Sequence, residues 1–509
     1  MPNTGKPSRD CHLCRQRRVK CDLARPSCQR CIKYGKPCPG YRDEQDLVFR
    51  HAAPAALKKS RGARQAARSR ETTVASSAAS TPESTSPASV TQAIDLHSNP
   101  ATAAVLRGIK EPWVAHSIPL LLMCYPIEFL AGIFKDTSGK NDALVSATHL
   151  WARTYLASRF HAPQDPRETE QCLSTALSNV ATSIRDPSRA TSDTTIMAVW
   201  LLGMYELQIG GVDGGQNAMT AWNVHSNGLS SLLLTRGTQQ FFTAHGRNIF
   251  WSVFTIIQIN CIITSAQCPP ESDMWLDTIE AIGDEDEMLI ICISRYIVQA
   301  CRIFPVITPM LVEGRYEEAC NRWEQIAQEV DDLEDLVARW MATGTTAQRD
   351  SGPITDYFLN SWRCARIKLH HITILLSNIV QYGPAPSPVD DTILQRRRQL
   401  ARVIIASAAQ DILDSVPVSL GGRAKELTSD LHAAWFEGIR LIWPLATLYT
   451  VRTIPPDLRI VAKAALITVG TERGILQALK SHPGPMPYVP EALIGIPMDE
   501  IPSRSPSQG

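Results

Sequence analysis

Six cysteines fall within 28 residues of this chain: Cys11, Cys14, Cys21, Cys28, Cys31 and Cys38, spaced C-x2-C-x6-C-x6-C-x2-C-x6-C. The pattern is an internal repeat, because Cys11, Cys14 and Cys21 have the spacing of Cys28, Cys31 and Cys38. The other eight of the 14 cysteines are spread over the rest of the 509 residues, so composition does not explain the cluster. A C-x2-C turn brings two thiolates to one metal, and zinc takes four sulfur ligands tetrahedrally. Six ligands are too many for one zinc and too few for two separate ones. Two zinc ions therefore need two sulfurs that each serve both metals. The repeat points to equivalent members of its halves, and Cys11 with Cys28, the first of each C-x2-C, is the expected bridging pair. With every position filled by sulfur, such zinc is structural and holds no site for water activation. Three disulfides would need an oxidising compartment. The polar, basic N-terminus has no apolar stretch and is read as lacking a signal peptide.

Charge is segregated along the chain. Between Cys14 and Cys21 the chain reads Arg15-Gln16-Arg17-Arg18-Val19-Lys20, and a short helix starting near Cys14 would project these cations together. Residues 1–70 hold 18 Lys+Arg against 5 Asp+Glu, a formal +13, and the remainder carries −12, which the overall +1 conceals. Two Zn²⁺ with six thiolates would leave the arm near +11. A metal-pinned cationic surface suits a polyphosphate such as nucleic acid.

This stretch resembles the fungal Zn₂Cys₆ binuclear-cluster transcription factors. The residues that carry the resemblance are C-x2-C-R-Q-R-R-V-K-C, the six-residue loop with Pro26, and C-x2-C-x6-C with Lys33 and Lys36. The resemblance implies a small module over residues 9–42 with two short helices, in which the six cysteines hold two Zn²⁺ ions. It also implies that the first helix enters the major groove of double-stranded DNA and reads a CGG-type triplet. Arg17 and Arg18 then stand at base-reading positions, Arg15 and Lys20 face phosphates, and Pro26 shapes the loop. Lysine is common at the base-reading positions, so arginine there is a departure. An arginine fork matches guanine O6 and N7, each such pair being worth about 1–3 kcal/mol of discrimination.

Residues 43–104 read as a linker: a basic run at 58–70 suited to nuclear import, then a Ser/Thr/Ala/Pro-rich stretch without apolar periodicity. Many relatives carry a dimerising coiled coil here, but Leu57 is the one large apolar residue between Phe49 and Val74, and Pro54 interrupts the segment. The DNA site is then a single triplet, or a homodimer forms through the C-terminal region. Residues 486–509 read as a disordered tail.

Residues 105–485 are dominated by helical periodicity and predict an all-α regulatory and interaction domain of roughly a dozen helices. Three stripes define expected core faces: Ile196, Val199, Trp200, Gly203 and Leu207; Phe250, Val253, Phe254, Ile257 and Cys261; and Leu400, Val403, Ile404, Ala408 and Ile412. The segment Trp222-x2-His225-x2-Gly228-x3-Leu232-Leu233-x2-Arg236-Gly237 reads as a helix ended by Gly237 with a satisfied buried histidine, and is similar to a segment of the same family's regulatory domain. No membrane span is expected at 117–134, which contains Pro119, Pro126 and Glu128, or at 249–264. Asp331-Asp332-Leu333-Glu334-Asp335 matches the DDxxD of isoprenoid synthases but fits a solvated helix face better. His370-His371 reads as a bare pair without partners, and no enzymatic activity is expected. Residues 271–287 hold eight acidic and no basic residues and read as an exposed inter-helix loop, with an activation segment as the rival. Together these readings give a nuclear, sequence-specific regulator of RNA polymerase II transcription with coregulator partners. The rival is a corepressor that uses the zinc cluster only as a scaffold.

Overall fold

In a computed structural model, the described residues are 11–38, apart from 12, 15, 16, 18, 25, 26 and 37, and 114–481, apart from 136–141, 212–219, 285–286, 343–352, 384–386 and 421–433. The expected linker at 43–104, the tail at 486–509, and Arg15, Arg18 and Pro26 lie outside the described residues. The chain divides into two compact units, Met1–Ala93 and Ile94–Gly509.

Among its described residues, the first unit has one short helix, α1 (Gln29–Lys33), and a helical turn at Leu13 and Cys14. The second unit is all-α among the described residues. Its elements are α2 (Val114–Cys124), α3 (Glu128–Lys135), α4 (Ala143–Arg159), α5 (Pro166–Arg185), α6 (Asp193–Ile209), α7 (Ala221–Arg236), α8 (Ala244–Thr264), α9 (Ser272–Ile282), α10 (Met288–Glu313), α11 (Tyr316–Ala342), α12 (Pro353–Tyr382), α13 (Asp391–Leu420), α14 (Ala434–Thr450) and α15 (Pro456–Glu472). Short 3₁₀ segments follow α7 and α15.

Helix starts follow local chemistry. The side chains of Asp142, Asp165, Ser192 and Thr220 accept backbone N–H groups at the N-termini of α4, α5, α6 and α7. Gly237 ends α7 as expected, at φ +71° and ψ −171°, a conformation open essentially to glycine alone. At the centre, α12 packs against α10, α11, α13 and α14, while α6 packs against α4 and α7.

Two of the expected stripes belong to helices that are buried almost all round. Helix α6 buries Met197, Ala198 and Leu201 as well as the predicted face, and α8 does the same with Ile256 and Ile259. The third stripe is a correction. Ala408 and Ile412 are buried as expected, but Leu400 and Val403 are exposed, and α13 buries Leu394, Arg398, Ala401 and Ile405 in their place. The buried face departs from the predicted one over the first half of the helix, where Arg398 lies inside. Its guanidinium donates to Asn378 (3.1 Å) and Gln381 and sits 5.8 Å from the Tyr382 ring centroid.

The acidic run is a second correction. Much of it forms helix α9, and five of its carboxylates are paired: Asp273 with Arg302, Asp277 and Glu280 with Arg295, Asp284 and Glu287 with Arg247. Glu287 also accepts from Trp251 Nε1 at 2.8 Å. The histidine pair is a third, for both rings are buried and partnered. His370 Nε2 lies 3.0 Å from Glu334 Oε1, and His371 Nδ1 lies 3.0 Å from Thr453 Oγ1. His225 is half-buried with no hydrogen bond among the described residues, so it is not the satisfied histidine expected. Burial holds it near pKa 4 and hence neutral.

Within α11, Asp332 and Asp335 of the DDxxD match are exposed, as a solvated face implies, while Asp331 and Glu334 face neighbouring helices. Asp331 takes a two-point bond from Arg397 (2.5 and 2.6 Å), and Glu334 is shared by Arg366 and His370. Burial alone would raise Glu334, but His370 and Arg366 hold it down at about 2. Among the described residues one helix, α10, is long and apolar enough to cross a membrane, a segment the sequence reading did not single out. In this bundle 61% of its apolar window is buried, and it packs against α12, α11, α9 and α8.

Candidate zinc centre and nucleic-acid interface

The sequence repeat becomes a structural repeat. In the first half the Cys14 N–H donates to Cys11 Sγ (3.4 Å), Arg17 N–H to the Leu13 carbonyl (3.0 Å) and Val19 N–H to the Cys14 carbonyl (3.0 Å). Seventeen residues later the Cys31 N–H donates to Cys28 Sγ (3.3 Å), Tyr34 N–H to the Arg30 carbonyl (3.2 Å) and Lys36 N–H to the Cys31 carbonyl (3.3 Å). Each half thus places a sulfur at the N-cap of a helical turn, where backbone N–H groups favour thiolate.

Between the halves, Asp22 accepts the Ala24 N–H (3.3 Å) and the Gln29 N–H (2.9 Å), and Leu23 sits at φ +61°. Asp22 therefore fastens the connecting loop to the start of α1. The sequence reading had assigned that loop to Pro26 and passed over Asp22, although an aspartate just after Cys21 is an ordinary turn signal.

The six sulfurs converge. Cys11, Cys14, Cys21 and Cys28 form one tetrad, and Cys11, Cys28, Cys31 and Cys38 another, with the ligand atoms of each within 4.8 Å of one another. The two tetrads share Cys11 and Cys28, the pair expected to bridge. Sulfurs lie 3.7 Å apart for Cys11–Cys28 and Cys14–Cys28, and 3.6 Å apart for Cys11–Cys31. A tetrahedron with Zn–S bonds of about 2.3 Å has edges of about 3.8 Å, so the spacing fits zinc. Desolvation, and then the adjacent sulfurs of Cys11, Cys28 and Cys21, push the Cys14 thiol up to about 12, and Cys11 and Cys31 are also raised. A cation that takes up thiolate charge removes that resistance. The donor set and its geometry indicate two zinc ions.

Around this centre Arg17, Lys20, Arg30, Lys33 and Lys36 are exposed. The guanidinium of Arg17 lies 3.3 Å from the centroid of the Tyr34 ring, and Lys36 Nζ lies 6.0 Å from it. Arg17 and Tyr34 are equivalent positions of the repeat, so the contact joins the two halves. A guanidinium lying over a ring keeps its in-plane N–H donors available while losing rotational freedom. Tyr34 went unnoticed in the sequence. The 17-residue offset that pairs it with Arg17 is the signal that could have found it.

Comparison with known proteins bears on this unit. Residues 9–47 match the fungal Zn(2)-Cys(6) binuclear cluster domain. Over 44 residues the chain is 50% identical to "Arginine metabolism regulation protein II" of Saccharomyces cerevisiae, a stretch covering 9% of this chain and 4% of that protein. Over 77 residues it is 34% identical to the Zn(2)-C6 fungal-type transcription factor aoiH of Aspergillus oryzae, covering 14% of this chain and 20% of that protein. The chain thus spans at most a fifth of the length of these two relatives. No solved structure matches the chain.

Proposed function

With residues 9–47 matching the fungal Zn(2)-Cys(6) binuclear cluster domain, we propose that this protein is a nuclear, sequence-specific DNA-binding regulator of RNA polymerase II transcription. In this reading Cys11, Cys14, Cys21, Cys28, Cys31 and Cys38 hold two zinc ions, Cys11 and Cys28 serving both. The zinc supplies rigidity by fixing both helical turns to one point. Arg17 and Arg18 read a CGG-type triplet in the major groove, and Arg15 and Lys20 contact phosphates. The helical unit acts as the regulatory and interaction part, contacting coregulators and pairing copies of the chain.

The observation that carries this reading is the pair of overlapping sulfur tetrads beside an exposed arginine whose guanidinium is held over an aromatic ring. A guanidinium already ordered loses less freedom when it meets a guanine edge. Neighbouring lysines supply affinity that falls with salt, with a slope near −0.9 per phosphate contact in duplex DNA.

Selection from random duplex DNA with full-length, zinc-loaded protein at two salt concentrations tests it. Enrichment of a CGG-type triplet is expected, and two triplets at fixed spacing would accompany pairing of chains. Arg17→Ala with Arg18→Ala should abolish the enrichment while leaving zinc content at two per chain. Weak, sequence-independent binding that disappears with salt would instead favour a corepressor with the cluster as scaffold.

A further inference from the structure

The helical unit encloses a cavity of about 430 Å³, within the range of about 300–1,000 Å³ in which small-molecule sites fall. Its wall is largely apolar and rich in aromatic rings, among them Tyr125 from the turn between α2 and α3, Trp200 from α6, Trp251 from α8, Tyr357 from α12, and Phe436 and Trp443 from α14. The Tyr125 ring lies 5.2 Å from Trp200 and 5.1 Å from Phe436, centroid to centroid, so this part of the wall is a continuous ring surface.

Two features of the wall set what it would take. First, Tyr125, only 6% exposed, and the half-buried Tyr357 make no hydrogen bond through their hydroxyls to any described residue. Both hydroxyls therefore have an O–H donor to offer a bound molecule. Burial also pushes both phenols upward, so they remain O–H donors. Second, the wall's cation, Arg440, is 2% exposed and feels the negative charges of Glu437 and Asp356. Burial outweighs both acids in its effect on Arg440 and lowers it, so a further cation entering the cavity would be disfavoured there.

We propose that this cavity is a binding site for a flat, largely apolar small molecule carrying a carbonyl oxygen that accepts hydrogen bonds from the Tyr125 and Tyr357 hydroxyls. The site is independent of the zinc unit and of the DNA-reading proposal.

Titration of full-length, zinc-loaded protein with prodan, a neutral carbonyl-bearing naphthalene whose emission moves to the blue in dry surroundings, tests this. Saturable one-to-one binding with a blue shift is expected. Ser252→Trp places an indole in the cavity from a half-buried wall position and should abolish binding with the helical circular dichroism retained. Ile354→Trp, at an exposed lining position, replaces it if that variant fails to fold. Tyr125→Phe with Tyr357→Phe keeps the ring surface, and should weaken prodan by about tenfold while leaving the carbonyl-free 2-(dimethylamino)naphthalene unchanged. Absence of saturable binding, or equal binding by wild type and the tryptophan variants, would overturn the site. An equal effect of the phenylalanine pair on both probes would overturn the carbonyl assignment.

Discussion

The two units of this chain are held together by different physics. The zinc unit buries five cysteines, with Leu13, Val19 and Cys38 packed beside them, and its described residues contain no other apolar cluster. Below about 40 residues a chain has too little apolar surface to fold on burial alone, and metal ligation takes that role. The helical unit has an extended core in which Trp151, Trp222, Trp275 and Trp435 are almost fully buried. One unit depends on a few strong, local, chemically specific bonds. The other depends on many weak contacts between residues far apart in sequence. A perturbation that removes one kind of cohesion should therefore leave the other standing.

Zinc removal should separate them most sharply. Structural zinc contributes about 10–16 kcal/mol of binding free energy, so chelation should unfold the first unit and abolish DNA binding. Helical circular dichroism and the thermal midpoint of the second unit should barely change. Replacing a shared sulfur, Cys28→Ser, should disturb both metals, whereas Cys38→Ser, in one tetrad, should disturb mainly one; zinc counted per chain would distinguish these. Equal loss from both variants would remove the case for bridging by Cys28.

The converse experiment is Trp435→Ala. This ring is fully buried, lies 5.1 Å from Trp151 and donates through Nε1 to Gln208 Oε1 at 2.9 Å. Its loss should cost the helical unit about 3–5 kcal/mol, read by chemical denaturation, with zinc stoichiometry unchanged.

Acid should also act on the helical unit. Burial depresses His371, with Lys368 adding to the effect, and burial depresses His225, both to about 4. The unfolded chain therefore binds more protons between about pH 6.5 and 4, and stability falls as pH drops through that window, by on the order of 1–3 kcal/mol per histidine. Below about pH 4.5 protonation of Glu334, held near 2 in the fold, adds to the loss. Denaturation midpoints at pH 7 and pH 5 would check this, and His371→Gln should flatten the dependence.

The smallest expected effect lies at Tyr34. Tyr34→Ala removes the ring beneath Arg17, and an exposed cation–π contact is worth about 0.5–1 kcal/mol. DNA affinity should fall a few-fold, with zinc content intact, while Tyr34→Phe should restore it. Failure of phenylalanine to rescue would show that the ring does not order Arg17.

How much of each unit could be read in advance follows from the same contrast. The convergence of the six sulfurs into two tetrads that share Cys11 and Cys28 was readable because all the participants lie within 28 residues and coordination number is chemically fixed. In α13 the same kind of reading misplaced Leu400 and Val403, because apolar spacing alone gave no reason to bury Arg398. Only Asn378 and Gln381 on the neighbouring helix make that burial tolerable. The acidic run failed similarly: its partners Arg247, Arg295 and Arg302 come from α8 and α10.

The sequence by itself determined the zinc-binding chemistry, the helical class of the larger unit and the separation of charge along the chain, because each is set by residue type and short-range spacing. Tertiary structure alone decided which helix faces are buried, which carboxylates are neutralised, that Tyr34 lies against Arg17, and that aromatic side chains from six segments line a cavity. Those outcomes depend on helices meeting in space, where the partner of a residue can stand a hundred or more positions away, as Gln208 stands from Trp435.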